Sequence, residues 1–376
     1  MPLARPIPPL QRATAAALGA GCLLSLPLWT GARDFPLLPV TSLPDLGHFP
    51  LLVFVVSILL LFSLQLTAWL ALLLLGTATW LVLSDITRLQ PWFYLYLLMI
   101  CGMGLKSPRI LRLVMVSCYC WSGLQKFSVV FPLTIEPYVE TALKPVLSAA
   151  IVRQFSPALL AIPVIEALLG LGLSWERTRK ISVVGLTGMH LFILLMIGPT
   201  GRDYNSVVWP WNIFMIFALL ALFRGEAPAQ TWKYHEKFFL GVAGIFPVLG
   251  FFGFGDAYPS WALYAPRYHE LQISLPAGSL DGIAADLRPH FSVMNSQRLE
   301  TSAFSWSLSE MNVPPYAERR VMLQLAAKLC ARREIREQLK FQLLSPPGRL
   351  SGVRKKAAFG CNEERFRPDN RALLLE

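Results

Sequence analysis

Residues 51–83 read LLVFVVSILLLFSLQLTAWLALLLLGTATWLVL, 33 positions without a charged side chain. As one helix rising 1.5 Å per residue the run would measure about 50 Å. A bilayer's hydrocarbon core is only about 30 Å thick. Ser63, Gln65 and Thr67 interrupt the run near its middle. It therefore reads as two short crossings joined by a tight break, which sets the class of the whole chain.

The composition agrees with that class. Of 376 residues, 54% are hydrophobic and 15% charged, and mean hydropathy is +0.49. Soluble domains carry about 45–50% apolar and about 25% charged residues, so one water-soluble core would not absorb this excess. A disordered chain, a DNA reader and a disulfide miniprotein are excluded. Further spans are expected at Thr14–Thr30, Pro91–Leu105, Ile110–Phe131, Pro157–Trp175, Ile181–Ile197, Val207–Phe223 and Phe238–Phe254. With the long run split, the count is about nine.

The net charge of +11 acts first as a topology signal in such a chain. With Arg5 and Arg12 cytoplasmic, Lys106 and Arg109, then Arg177, Arg179 and Lys180, then Arg224, Lys233 and Lys237 all fall inside. The basic start and apolar stretch resemble a signal peptide, but no small-residue cleavage site follows, so the segment reads as an anchor. Beyond Phe254 no run reaches spanning length. Residues 255–376 carry 17 Lys and Arg against 13 Asp and Glu, a net of +4, too weak for a nucleic-acid surface. There Leu271–Leu275 reads as a strand and Pro314–Leu344 as a helix, with Phe341–Leu344 as an alternative strand start. The expected fold is an all-α polytopic membrane bundle of about nine transmembrane helices over 1–254. A small α/β extracytoplasmic C-terminal tail over 255–376 completes it. The expected location is the inner membrane, multi-pass, with the lipid bilayer as partner and no nucleic acid.

Cysteine and histidine usage narrows the chemistry. Cys22, Cys101, Cys118 and Cys120 lie in apolar runs, leaving Cys330 and Cys361 as the disulfide candidates. His48, His190, His235, His269 and His290 have no second His or Cys at ligand spacing, so no metal site is expected.

Ionisable groups in apolar spans are costly, and by default they mark function. Lys126 lies about 24 Å along its span, either an interfacial anchor or, kept from water, a base. Glu166 and His190 fall near mid-depth of consecutive helices and are expected to pair, as interhelical glue or as a proton relay. Lys126, Glu166 and His190 are the candidate catalytic residues. A substrate-binding mouth is expected from Arg88, Arg202, Asp203, Trp209, Trp211 and Asn212, with Asp85, Trp92 and Tyr204 nearby.

These residues carry a family resemblance along most of the chain. Asp85-Ile86-Thr87-Arg88-Leu89-Gln90-Pro91-Trp92, Ser122-Gly123-Leu124-Gln125-Lys126, Glu166 and Met189-His190 occur in the order seen in the HTTM group of bacterial membrane proteins. The tail segments Tyr258–Tyr264, Trp306–Glu310 and Val313-Pro314-Pro315 extend it. That group is related to the membrane portion of vitamin K-dependent gamma-carboxylases, and this chain resembles it. The resemblance implies a helical fold with an outward intramembrane cavity, a quinone or vitamin K-like quinol as cofactor, and Lys126 as base. Phe127-Ser128-Val129-Val130-Phe131 departs from the carboxylase pattern, where an acidic residue and a tryptophan follow the lysine. The tail is also too small for a carboxylase lumenal domain. The competing expectation is a non-enzymatic binding, transport or assembly subunit acting through its C-terminal tail.

Overall fold

The computed structural model describes residues 8–203, 205–225, 231–276, 287–295 and 298–362, so Arg5 and Tyr204 lie outside the described residues. Along the chain come α1 (Pro9–Leu24), α2 (Leu26–Thr30), α3 (Phe49–Ser63), α4 (Ala68–Ser84), α5 (Pro91–Gly104) and α6 (Pro108–Lys126). Then follow α7 (Phe131–Leu143), α8 (Ala149–Gln154), α9 (Ala161–Gly172), α10 (Glu176–Ile197), α11 (Val208–Phe223), α12 (Tyr234–Phe239) and α13 (Pro247–Phe251). The C-terminal part holds β1 (Glu270–Pro276), β2 (Ser292–Asn295), β3 (Arg298–Ser302), α14 (Ala303–Met311), α15 (Arg319–Cys330), β4 (Lys340–Leu344) and β5 (Lys356–Gly360).

The chain forms two compact units. The first comprises Met1–Leu24, Pro44–Leu81 and Leu89–Pro266; the second comprises Ser25–Leu43, Val82–Arg88 and Arg267–Glu376. The composition changes after Phe254, and the later division falls between Pro266 and Arg267. Two earlier connecting segments also join the second unit.

The nine-span bundle expected from hydropathy is overturned by the helix lengths. Among the described residues one helix, α10 with 22 residues, is long and apolar enough to cross a membrane by itself. α6 and α7 would add a second only as a pair bent by 108°. The shorter apolar helices, α3, α4, α5, Ser156–Gly172 and α11, have 10–17 residues. A 16-residue helix reaches about 24 Å, short of a hydrocarbon core of about 30 Å. Windowed hydropathy counts apolar residues across a break as readily as along a helix, and the breaks here have local causes.

At the first break, Pro27 cannot donate to the carbonyl four residues back, and α1 stops at Leu24. α2 then ends at Gly31, whose φ of 74° is the left-handed cap that glycine adopts without a Cβ clash. The run 51–83 splits into α3 and α4 where Ser63, Gln65 and Thr67 interrupt it. The exposed backbone of that split is met by one buried side chain. Gln11 donates Nε2 to the carbonyls of Leu61 and Leu64, both at 2.6 Å, and accepts the Leu66 N–H at 3.1 Å. The expected span 238–254 is also interrupted, by a π-helical turn at Leu240–Ile245 before Pro247. Pro247 leaves the Ala243 carbonyl without its helical donor, and the Trp261 indole takes it at 3.1 Å. The Trp121 indole takes the Gly244 carbonyl at 2.8 Å.

The first unit turns large apolar side chains outward. Leu52, Leu59, Trp69, Leu168, Ile181, Val184 and Ile213 are each more than half exposed.

The second unit is built on an antiparallel sheet of order β2-β3-β1-β4-β5. Central β1 pairs Ile273 with Thr301 on one side and Phe341 on the other. Its period-two pattern puts Leu271, Ile273 and Leu275 inside. The expected strand Leu271–Leu275 lies within β1. The expected helix Pro314–Leu344 shrinks to α15, because Phe341–Leu344 enters β4. Cys330 and Cys361 form the disulfide, fixing the end of α15 beside the end of β5. Cys22, Cys101, Cys118 and Cys120 are free thiols.

Candidate functional site

Several polar residues of the first unit lie on α6. The helix starts at Ser107, whose hydroxyl accepts the Ile110 N–H at 3.3 Å, with Pro108 in its first turn. Tyr119, Ser122 and Lys126 follow at spacings of three and four, a single stripe on a helix. α9 lies against α6 at backbone distance. A Cβ on Gly123 would sit 2.4 Å from the Pro163 carbonyl oxygen, and one on Gly170 would sit 2.7 Å from the Tyr119 Cβ. Larger side chains at those two positions would push the helices apart.

That approach brings Glu166 of α9 onto Lys126. The Lys126 amine donates to both Glu166 carboxylate oxygens at 2.9 Å and to the Ser122 hydroxyl at 2.6 Å. All three ammonium hydrogens have an acceptor. The lysine side chain is 16% exposed and the glutamate 5%.

His190 does not pair with Glu166, as hydropathy depth suggested. Its Nε2 lies 2.7 Å from the Tyr119 hydroxyl and its Nδ1 lies 2.7 Å from Asn212 Oδ1. Asn212 Nδ2 donates to the Val208 carbonyl at 2.7 Å, which fixes the amide with its oxygen toward the ring. Nδ1 must then carry a hydrogen, and a neutral Nε2 accepts from Tyr119. Depth placed Glu166 and His190 at one level, but it carries no information on helix rotation. Tyr119 lies seven residues before Lys126 on the same stripe, so the two groups share one face of α6. Tyr119 and Ser122 were not among the sequence candidates. Their spacing relative to Lys126 was the available signal.

The residues of the expected mouth are divided between the two units. Arg88 belongs to the second unit, where it donates to the Leu28 carbonyl at 3.1 Å, the Trp29 carbonyl at 3.1 Å and the Ser84 hydroxyl at 2.8 Å. It is a cation at the C-terminal end of α2. In the first unit, exposed Arg202 lies over the Tyr138 ring at 4.9 Å. Asp203 occupies a left-handed turn with φ 48°. The Trp209 indole is spent on the Ile197 carbonyl at 3.1 Å. Trp211 is buried with its indole N–H unpartnered, 6.2 Å from the Tyr264 ring. Of the six expected binding residues, Asn212 reaches a candidate catalytic group, His190.

Comparison with family models, with curated proteins and with solved structures returned no match to this chain.

Proposed function

We propose that the first unit is embedded in a bacterial inner membrane, and that Lys126 and Glu166 form a buried proton-transfer pair serving a lipophilic quinone or quinol. This is the reading that resemblance to the HTTM and gamma-carboxylase-like group implies. The observation that carries it is the sheltered amine held at 2.9 Å from both oxygens of one carboxylate. A proton moving from Lys126 to Glu166 breaks an N–H bond, forms an O–H bond and leaves a neutral amine. That amine is a base in a water-poor setting, and Ser122 holds it in place. The Tyr119–His190–Asn212 chain would orient groups on the same face of α6. The quinone–quinol couple would supply the redox chemistry, and the acidic hydroxyls of the quinol suit an amine, a carboxylate and a hydroxyl set among apolar side chains.

Outward-facing apolar side chains and the 54% hydrophobic composition support membrane embedding. The Cys330–Cys361 disulfide supports an extracytoplasmic second unit, since such bonds persist in oxidising compartments. The basic loops at Lys106–Arg109 and Arg177–Lys180 support a cytoplasmic N-terminus. A second reading, a non-enzymatic subunit acting through its tail, keeps Lys126–Glu166 as a clamp between α6 and α9, and the full use of the ammonium hydrogens favours it.

Binding of menadione to detergent-purified protein, read by quenching of tryptophan fluorescence, separates the two readings. Wild type is expected to bind, and Lys126→Ala to bind at least about tenfold more weakly, the equivalent of about 1.4 kcal/mol. Lys126→Arg should keep the clamp and lose proton transfer, because a guanidinium does not give up its proton. Equal binding by wild type and Lys126→Ala would leave the clamp as the function of the pair.

A further inference from the structure

Within the second unit, three residues far apart in sequence converge. Asp34 comes from the Ser25–Leu43 segment, His290 from just before β2, and Glu310 from α14. One ligand atom from each lies within 4.8 Å of the other two. All three side chains are half-buried.

The groups are held before any ligand arrives. Glu310 Oε2 accepts the Phe35 N–H at 2.8 Å and the Trp306 indole N–H at 2.9 Å. Its Oε1 accepts the Asp34 N–H and keeps one lone pair. The His290 ring stacks on Trp306 with centroids 5.2 Å apart, so one indole fixes both the imidazole plane and the carboxylate. Second-shell contacts of this kind orient metal ligands.

His290 Nε2 and Asp34 Oδ2 stand 3.6 Å apart. That is too far for a hydrogen bond. Two ligands each about 2.1 Å from one tetrahedral ion sit roughly 3.4–3.6 Å apart. From this spacing we infer that Asp34, His290 and Glu310 form a binding site for a divalent transition ion, with Glu310 Oε1 as third ligand and a fourth position open to water. One imidazole with two carboxylates suits zinc or a similar borderline ion, whereas calcium and magnesium prefer oxygen alone. The ion would clip the Ser25–Leu43 segment to α14 and the chain before β2. Spacing rules miss such a site, because Asp34 lies 256 residues before His290.

The test uses the full-length protein in detergent, stripped with a chelator and titrated calorimetrically with zinc chloride. Expected are one zinc ion per chain, a melting temperature that rises with zinc, and affinity at least about tenfold weaker in His290→Ala and in Asp34→Asn. No binding by wild type, unchanged zinc affinity in either variant that melts like wild type without metal, or calcium binding as tight as zinc would each overturn the site. Should His290→Ala fail to fold, Asp34→Asn decides alone, since that side chain is 41% exposed and its loss removes only a ligand oxygen.

Discussion

The two units each contain an ion pair shielded from solvent, and the chemistry of the cation separates them. In the second unit Arg33 and Asp85 have fully buried side chains. Asp85 also accepts the Thr87 hydroxyl at 2.7 Å and the Leu38 N–H at 3.4 Å, while Arg33 donates to the Phe35 carbonyl at 3.1 Å. This pair joins two connecting segments, and an arginine does not deprotonate in a protein. In the first unit the Lys126 ammonium reaches from α6 to both carboxylate oxygens of Glu166 on α9, on a flexible stem. The Arg33–Asp85 network ties connecting segments together; the Lys126–Glu166 pair ties two packed helices.

The contrast makes graded predictions. Asp85→Ala leaves the Arg33 charge buried and unpaired, so the largest loss is expected there, about 3–5 kcal/mol in denaturant unfolding of the detergent-solubilised protein. Glu166→Ala should cost less, about 1–3 kcal/mol, because the partly exposed Lys126 can turn its stem toward water. Equal losses at the two sites would remove the distinction. Gly123→Ala places a methyl against the Pro163 carbonyl and should cost about 1–3 kcal/mol. It should also weaken menadione binding, by moving Glu166 away from Lys126.

The smallest effect concerns pH and lies wholly in the second unit. Burial pushes the His269 imidazole down to about 4, aided by nearby Arg319 and Arg354 and opposed by a hydrogen bond to the Ala317 backbone. Between about pH 6.5 and pH 4 the unfolded chain binds more protons at this residue than the folded one. Its contribution is therefore complete above about pH 6.5 and declines as pH falls toward 4. His269→Ala should flatten the stability profile in that window, and an unchanged profile would assign the acid sensitivity elsewhere.

Parts of this arrangement were legible in the residues. The polar triplet Ser63, Gln65 and Thr67 marked the break between α3 and α4, and Leu271–Leu275 marked β1. Lys126, Glu166 and His190 stood out because each interrupts an apolar run. The helix lengths were not legible. Gln11 closes a break some fifty residues away, and Trp261 takes the carbonyl that Pro247 leaves open; neither contact is visible in a hydropathy window. Arg88 looked like a binding residue because its charge stood at the end of an apolar run. Its guanidinium is instead committed to carbonyls of α2.

Composition and local pattern determine, from sequence alone, how apolar this chain is, where its polar groups interrupt the apolar runs, and which two cysteines pair. Tertiary structure decides the partnerships. Glu166 meets Lys126 because Gly123 and Gly170 let α6 and α9 touch, and His190 meets Tyr119 and Asn212 because of how α10 and α11 are rotated. Helix rotation and crossing depend on packing across the whole unit. Charge and hydropathy along the chain do not record them.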